Sequence, residues 1–169
     1  MKHSDFAEAK RFIFTDIERE IALAYASQHE AQRAALKKLG VQPGGGNFLA
    51  AMGLLSYTEF AGKLKYNMKR NDGRDWASEN FNRFFDDLGI RYKQVRTSGI
   101  DVYGIFRCGL VHEYYAKENC TIHMCRKSDN RIGIGQDPDG KYYFVVETYF
   151  GDFKHAFNAL EKALYNMVT

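Results

Sequence analysis

The stretch FRCGLVHEYY, residues 106–115, carries an arginine and a histidine inside an otherwise apolar and aromatic segment. Arg107 offers a planar fork of donors that suits a phosphate oxygen, and His112 exchanges a proton near neutral pH. Both groups therefore suit chemistry at a phosphodiester, with Arg107 holding developing charge and His112 moving a proton. A buried arginine is costly unless it is paired or lies beside a wet cleft, so Arg107 needs an explanation.

The same stretch is predicted to lie on a helix from about residue 100 to residue 117. At 100° per residue His112 lies about 140° around the axis from Arg107, so an ideal helix does not point both at one spot. Either Gly109 loosens the turn between them, or the two side chains meet partners from a second subunit across a two-fold axis. We favour the second explanation. The stripe that contains Arg107 also holds Ile100, Tyr103, Leu110 and Tyr114.

Glu59 supplies a purely structural alternative for Arg107. It lies in YTEFAGK, within an otherwise apolar helix, and can pair with Arg107 from a neighbouring helix. Such a pair would account for a buried arginine without any catalysis. The two interpretations are compatible if the carboxylate orients the guanidinium.

The pattern Arg107-Cys-Gly-Leu-Val-His112 resembles the R-x4-6-H signature of the HEPN superfamily, which lies on a core helix of a helical bundle. With Tyr114 it also resembles the R-x4-H-x-Y form of HEPN toxins that work beside a nucleotidyltransferase antitoxin. The resemblance covers about residues 5–118.

The resemblance implies metal-independent cleavage of RNA by a homodimer, in a toxin or defence setting. Arg107 and His112 would be the catalytic residues, with Glu59, Glu113 and Tyr114 as supporting residues. The attacking nucleophile would be the 2′-hydroxyl of the RNA itself, so no cofactor and no metal are expected. The implied partners are RNA, a second copy of the chain and a nucleotidyltransferase-type or other antitoxin. A non-catalytic HEPN-like module that binds a nucleotide or a protein is the alternative.

The remaining patterns predict a mainly α protein with one domain over residues 1–169, built as an antiparallel helical bundle. A first helix extends from about residue 5 to Leu39, more than thirty residues, and Asn47 caps the next. A third helix, DWASENFNRFFDDLG, buries Trp76 together with its phenylalanines, and the basic stretch RYKQVRTS connects it to the motif helix. A small β-hairpin or meander is inserted near residues 121–147, and DFKHAFNALEKALYNM forms a C-terminal helix.

Charge and composition limit the partners. The net charge is +3, a mild bias that permits a nucleic-acid partner without requiring one. A candidate RNA-binding patch interleaves cations with Tyr66 and consists of Lys63, Lys65, Lys69, Arg70 and Arg74. Three cysteines without a CxxC pair, no apolar run at the N-terminus and no stretch long enough to span a membrane predict a reduced, cytoplasmic protein.

Overall fold

The computed structural model describes residues 1–42, 44–110, 120–124 and 131–165. The chain is mainly helical and carries a small three-stranded sheet, as predicted. A π-helical segment, Tyr103–Cys108, lies between α5 and the sheet. The other elements are α1 (His3–Ala26), α2 (Glu30–Lys38), α3 (Asn47–Tyr66), α4 (Ala77–Asp87), α5 (Ile90–Thr97), β1 (Thr121–His123), β2 (Ile134–Gln136), β3 (Tyr142–Val145) and α6 (Val146–Tyr165). No helix in the described ranges is long and apolar enough to cross a membrane.

The predicted first helix is two helices, so its predicted length is wrong. α1 buries Phe6, Ile13 and Ile17, which follow the expected helical stripe. It ends at Ala26 because the Ser27 hydroxyl donates to the Leu23 carbonyl at 2.8 Å, and a short turn follows before α2 begins at Glu30. α2 has no buried residue.

The closest helix packing lies between α3 and α4. A Cβ added to Gly62 would lie 1.9 Å from the Asn80 carbonyl oxygen, so only glycine allows this approach. Asn80 is buried, and its side-chain amide accepts from the Met68 amide and donates to the Met68 carbonyl. The α3–α4 connection is therefore held from within the core.

Two further expectations for this region are wrong. Trp76 is 41% exposed, because it precedes α4 and its ring lies outside the core that Phe81, Phe84 and Phe85 form. The stretch RYKQVRTS is not an irregular connector but most of α5, which buries Tyr92. The Tyr92 hydroxyl donates to Asp152 at 2.5 Å and accepts from the Gly133 amide, so α5 is fastened to α6 and to the segment before β2.

The sheet has the order β1-β3-β2 and is not a meander. β2 and β3 form the predicted antiparallel hairpin, and the DPDG sequence makes its turn through a bond from the Gly140 amide to the Asp137 carbonyl. β1 instead pairs in parallel with β3. β3 continues directly into α6, which begins at Val146 and not near residue 152 as predicted.

The core is rich in aromatic rings. Tyr149 on α6 is fully buried, and its hydroxyl lies 2.9 Å from the Thr58 hydroxyl on α3. Phe144 of β3 stacks on Tyr149 at 4.8 Å between ring centroids, and Phe85 of α4 also contacts that ring. α3, α4, the sheet and α6 thus meet around one tyrosine, which fixes the position of α3 and of Glu59 upon it.

Candidate functional site

Arg107 lies on the π-helical segment and not on a regular α-helix as predicted. The start of the segment is held by Asp101, whose carboxylate accepts a hydrogen bond from the Gly104 amide at 2.9 Å. A Cβ at Gly104 would lie 2.2 Å from Asp101 Oδ2, so any larger residue here would displace the Asp101 carboxylate from this cap. Two glycines close to each other, Gly104 and Gly109, lower the preference for a regular helix here. Single π turns occur often at functional sites in proteins.

The buried stripe of this segment differs from the predicted stripe of Ile100, Tyr103, Arg107 and Leu110, of which only Leu110 is buried. Val102, Phe106 and Leu110 are buried at four-residue intervals. Arg107 follows the buried Phe106 directly, and its side chain remains 17% exposed. The guanidinium is therefore neither sealed in the core nor free in solvent, but lies at the edge of the core.

The predicted contact between Glu59 and Arg107 is present. Arg107 Nε lies 2.7 Å from Glu59 Oε2, and the carboxylate side chain is 23% exposed. The Nε proton has no hydrogen-bond partner among the described residues, so the contact is an ion pair whose N–H is not aligned with the oxygen. Whether Glu59 supports catalysis stays a prediction.

Tyr103 completes the cluster, and the sequence patterns did not single it out as a functional residue. Its hydroxyl donates to Glu59 Oε2 at 3.4 Å, and the Arg107 guanidinium lies 5.6 Å from its ring centroid. Burial, together with the negative charge of Glu59, raises the pKa of Tyr103 to about 12, although Arg107 opposes the shift. The sequence could have indicated Tyr103 because it precedes Arg107 by four residues, and residues four apart are neighbours on a helix surface.

Three predicted site residues, His112, Glu113 and Tyr114, lie outside the described residues. The convergence of His112 and Arg107 on one phosphate therefore stays a prediction.

The cations of the predicted RNA-binding patch lie at the surface and most of them pair with aspartates, while RNA binding by them stays a prediction. Lys63 and Lys69 both form ion pairs with Asp75. Lys65 pairs with Asp87 at 2.9 Å, Arg74 pairs with Asp72 at 2.6 Å, and the Arg70 charge also lowers the pKa of Asp72. These paired cations are weaker attractants for a polyanion than the sequence alone suggests.

The patch nevertheless begins beside the arginine cluster. Lys63 lies four residues after Glu59 on α3, so the two share one face of the helix, about one turn apart. The Arg107–Glu59 pair and the end of the basic patch are thus consecutive features of the same surface.

The described residues contain no group of three or more His, Cys, Asp or Glu side chains that could hold a metal ion. Comparison of the chain with family models, with curated proteins and with solved structures finds no match. The HEPN resemblance therefore rests on the residues of the motif and on the helical character of the chain.

Proposed function

We propose that this chain is a metal-independent endoribonuclease of HEPN type that acts as a homodimer. The observation that carries the proposal is the state of Arg107. A helix edge holds its guanidinium against Glu59 and Tyr103, with part of the side chain open to solvent. A guanidinium that is positioned before substrate arrives costs less reorganisation when charge develops in the transition state.

The chemistry follows from the substrate and the two motif side chains. The RNA 2′-hydroxyl attacks the neighbouring phosphorus and the bond to the 5′-oxygen breaks, which leaves a 2′,3′-cyclic phosphate and a 5′-hydroxyl. His112 takes the 2′-hydroxyl proton or delivers one to the departing 5′-oxygen. Arg107 stabilises the charge on the non-bridging phosphate oxygens. In this proposal Glu59 is a positioning residue and touches no substrate.

The homodimer belongs to the proposal because the sequence spacing of Arg107 and His112 would place the two side chains about 140° apart on an ideal α-helix. A second copy, related by a two-fold axis, brings two arginines and two histidines into one groove. The bundle of α-helices would then be HEPN-like, with the sheet as an insertion. A toxin or defence role, controlled by an antitoxin, is the setting that the resemblance implies.

The experiment is incubation of the purified protein with total RNA in EDTA, followed by analysis of the fragment ends. We expect fragments that end in 2′,3′-cyclic phosphate. His112→Ala should lower the rate by about 10²–10⁴-fold. Arg107→Ala should lower it by about 10²–10³-fold through lost charge stabilisation.

Arg83→Ala is the matched control, because Arg83 pairs with Glu79 on the surface of α4 and is not part of the cluster of Arg107, Glu59 and Tyr103. This variant should cleave at the wild-type rate. Circular dichroism would show whether each variant keeps its helical content. Undiminished cleavage by folded His112→Ala protein would remove the catalytic assignment.

The second candidate is a non-catalytic HEPN-like module that binds a nucleotide or a protein partner. The Arg107–Glu59 ion pair favours it, since a carboxylate at 2.7 Å already compensates the half-buried arginine without chemistry. RNA or nucleotide binding without any cleavage in the same assay would select this candidate.

A further inference from the structure

Exposed positive charge also lies on α2, outside the predicted patch. Arg33 and Lys37 are exposed and stand one turn apart on this helix. Neither forms an ion pair with any residue in the described ranges, in contrast to Lys63 and Lys69, which share Asp75. Cations without a carboxylate partner carry the stronger field toward a polyanion.

These two cations line one of two adjoining cavities, which together are called the groove. A cavity of about 480 Å³ is lined by Ser27, Arg33, Lys37, Gln42 and Gly44. A second cavity, of about 390 Å³, adjoins it, since Ser27 and Gly44 line both. The other residues that line the second cavity are Ala24, Gln28, Gly45, Asn47, Ile122, His123 and Met124. Neither set of lining residues includes an aspartate or a glutamate.

Two hydrogen bonds fix the elements that line the groove. The Gly44 amide donates to the Ser27 hydroxyl at 3.2 Å, which fastens the glycine loop to the end of α1. Gly44 has a φ of +89° and Gly45 a φ of +79°, so both positions favour glycine. At the opposite wall the Asn47 side chain donates to the Ile122 carbonyl at 3.1 Å and joins α3 to β1. Asn47 thus bridges two elements and does not cap α3 as predicted.

The N-terminus of α3 is not the source of the attraction. A Cβ added to Gly46 would lie 2.7 Å from Glu20 Oε2, so a carboxylate of the chain itself already stands near that helix end. Glu20 lines a different cavity, between α1 and α3, and not the groove. The groove therefore relies on Arg33, Lys37 and neutral polar groups.

We propose that the groove between α2, the Gly44–Gly46 loop and β1 binds the sugar–phosphate backbone of a single RNA strand. Two cations one helical turn apart match successive phosphates of an extended strand, and neutral Ser, Gln and Asn side chains tolerate any base. The choice of RNA rests on the proposed function. From Asn47 to Glu59, α3 rises about 18 Å along its axis, and the two positions lie about 120° apart around it, so a strand of several nucleotides is needed to reach Arg107 from this groove.

The test is fluorescence anisotropy with a labelled single-stranded RNA of about 12 nucleotides, measured as a function of salt. The RNA carries 2′-O-methyl groups, which remove the nucleophile, so that binding is measured without cleavage. The double variant Arg33→Gln/Lys37→Gln loses two phosphate contacts. Its slope of log K against log salt should decrease by about 1.4, which is about 25-fold weaker binding at about 0.1 M salt if both curves meet near 1 M.

The matched control is Lys63→Gln/Lys69→Gln, which removes the same charge from the patch, where both lysines share the carboxylate of Asp75. This control should change the slope by less than half as much. An unchanged slope in the α2 variant, or equal losses in both variants, would overturn the inference. Binding of AMP without binding of the oligonucleotide would also overturn it and indicate a mononucleotide site.

Cleavage of ordinary RNA, measured in parallel, separates this inference from the proposed function. Strand binding that depends on Arg33 and Lys37, without cleavage, supports the groove and ends the nuclease proposal. If the protein cleaves RNA but the salt slope of binding does not change in the Arg33→Gln/Lys37→Gln variant, the nuclease proposal is supported and the inference about the groove is refuted.

Discussion

The Arg107–Glu59 ion pair can be measured by a double-mutant cycle on stability, with Glu59→Gln, Arg107→Gln and the double variant. Two unit charges about 4 Å apart attract by about 4 kcal/mol at an effective dielectric constant near 20, before desolvation is subtracted. Exposed pairs yield about 0.2–1 kcal/mol net, and loss of one partner from a fully buried pair costs about 3–5 kcal/mol. With side chains 17% and 23% exposed, the pair lies between these cases, and we expect a coupling of about 1–2 kcal/mol.

Urea unfolding followed by circular dichroism gives the four free energies of unfolding that the cycle needs. The chain contains a matched reference pair, Arg83 and Glu79, at 2.8 Å with side chains 46% and 30% exposed. As an i,i+4 pair on a helix surface it should couple by about 0.3–0.5 kcal/mol. The reasoning is that partial burial strengthens the ion pair and so orients the Arg107 guanidinium. A coupling energy between Arg107 and Glu59 no larger than that of the reference pair would refute it.

Two further predictions concern the core and its titration. Gly62→Ala should destabilise the protein by about 3 kcal/mol or more because its Cβ meets the Asn80 carbonyl, whereas Gly151→Ala, in open space on α6, should stabilise it by about 0.5–1 kcal/mol in the same urea assay. Burial raises the pKa of the Cys120 thiol from 9.0 to about 12, so its contribution to stability is present below about pH 9 and lost as the pH rises toward 12. The stability difference between wild type and Cys120→Ala should therefore shift against the wild type over that range, and a constant difference would contradict the assignment.

Much of the fold followed from periodicity and turn chemistry. The stripe Ile13–Ile17 on α1, the phenylalanines of α4 and the DPDG turn are local signals, and the structure contains each of them. The Glu59–Arg107 contact was also predictable, because a lone carboxylate and a lone guanidinium on apolar faces need partners.

The errors arose where distant contacts override local preference. The sequence of α5 was interpreted as a connector because most of its residues are charged or polar and only Tyr92 is buried. The hydrogen bonds of Tyr92 to Asp152 and Gly133 hold the helix in place, and the sequence does not reveal them. The parallel pairing of β1 with β3 depends on segments about twenty residues apart, which adjacency along the chain does not reveal. The basic patch was overestimated because Asp75 and Asp87 reach its lysines only in the folded chain.

The π-helical turn at Tyr103–Cys108 acts as one extra residue threaded into a helix. Loss of a single residue between Tyr103 and Arg107 would return the backbone to ordinary α geometry and change the angle between these two side chains, because the wide turn absorbs the extra residue locally. The guanidinium of Arg107 would then swing off its carboxylate while Tyr103 stayed in place. In evolution, a one-codon insertion or deletion at this turn would therefore form or break the Arg107–Glu59 ion pair in one step, with the remaining helices unchanged.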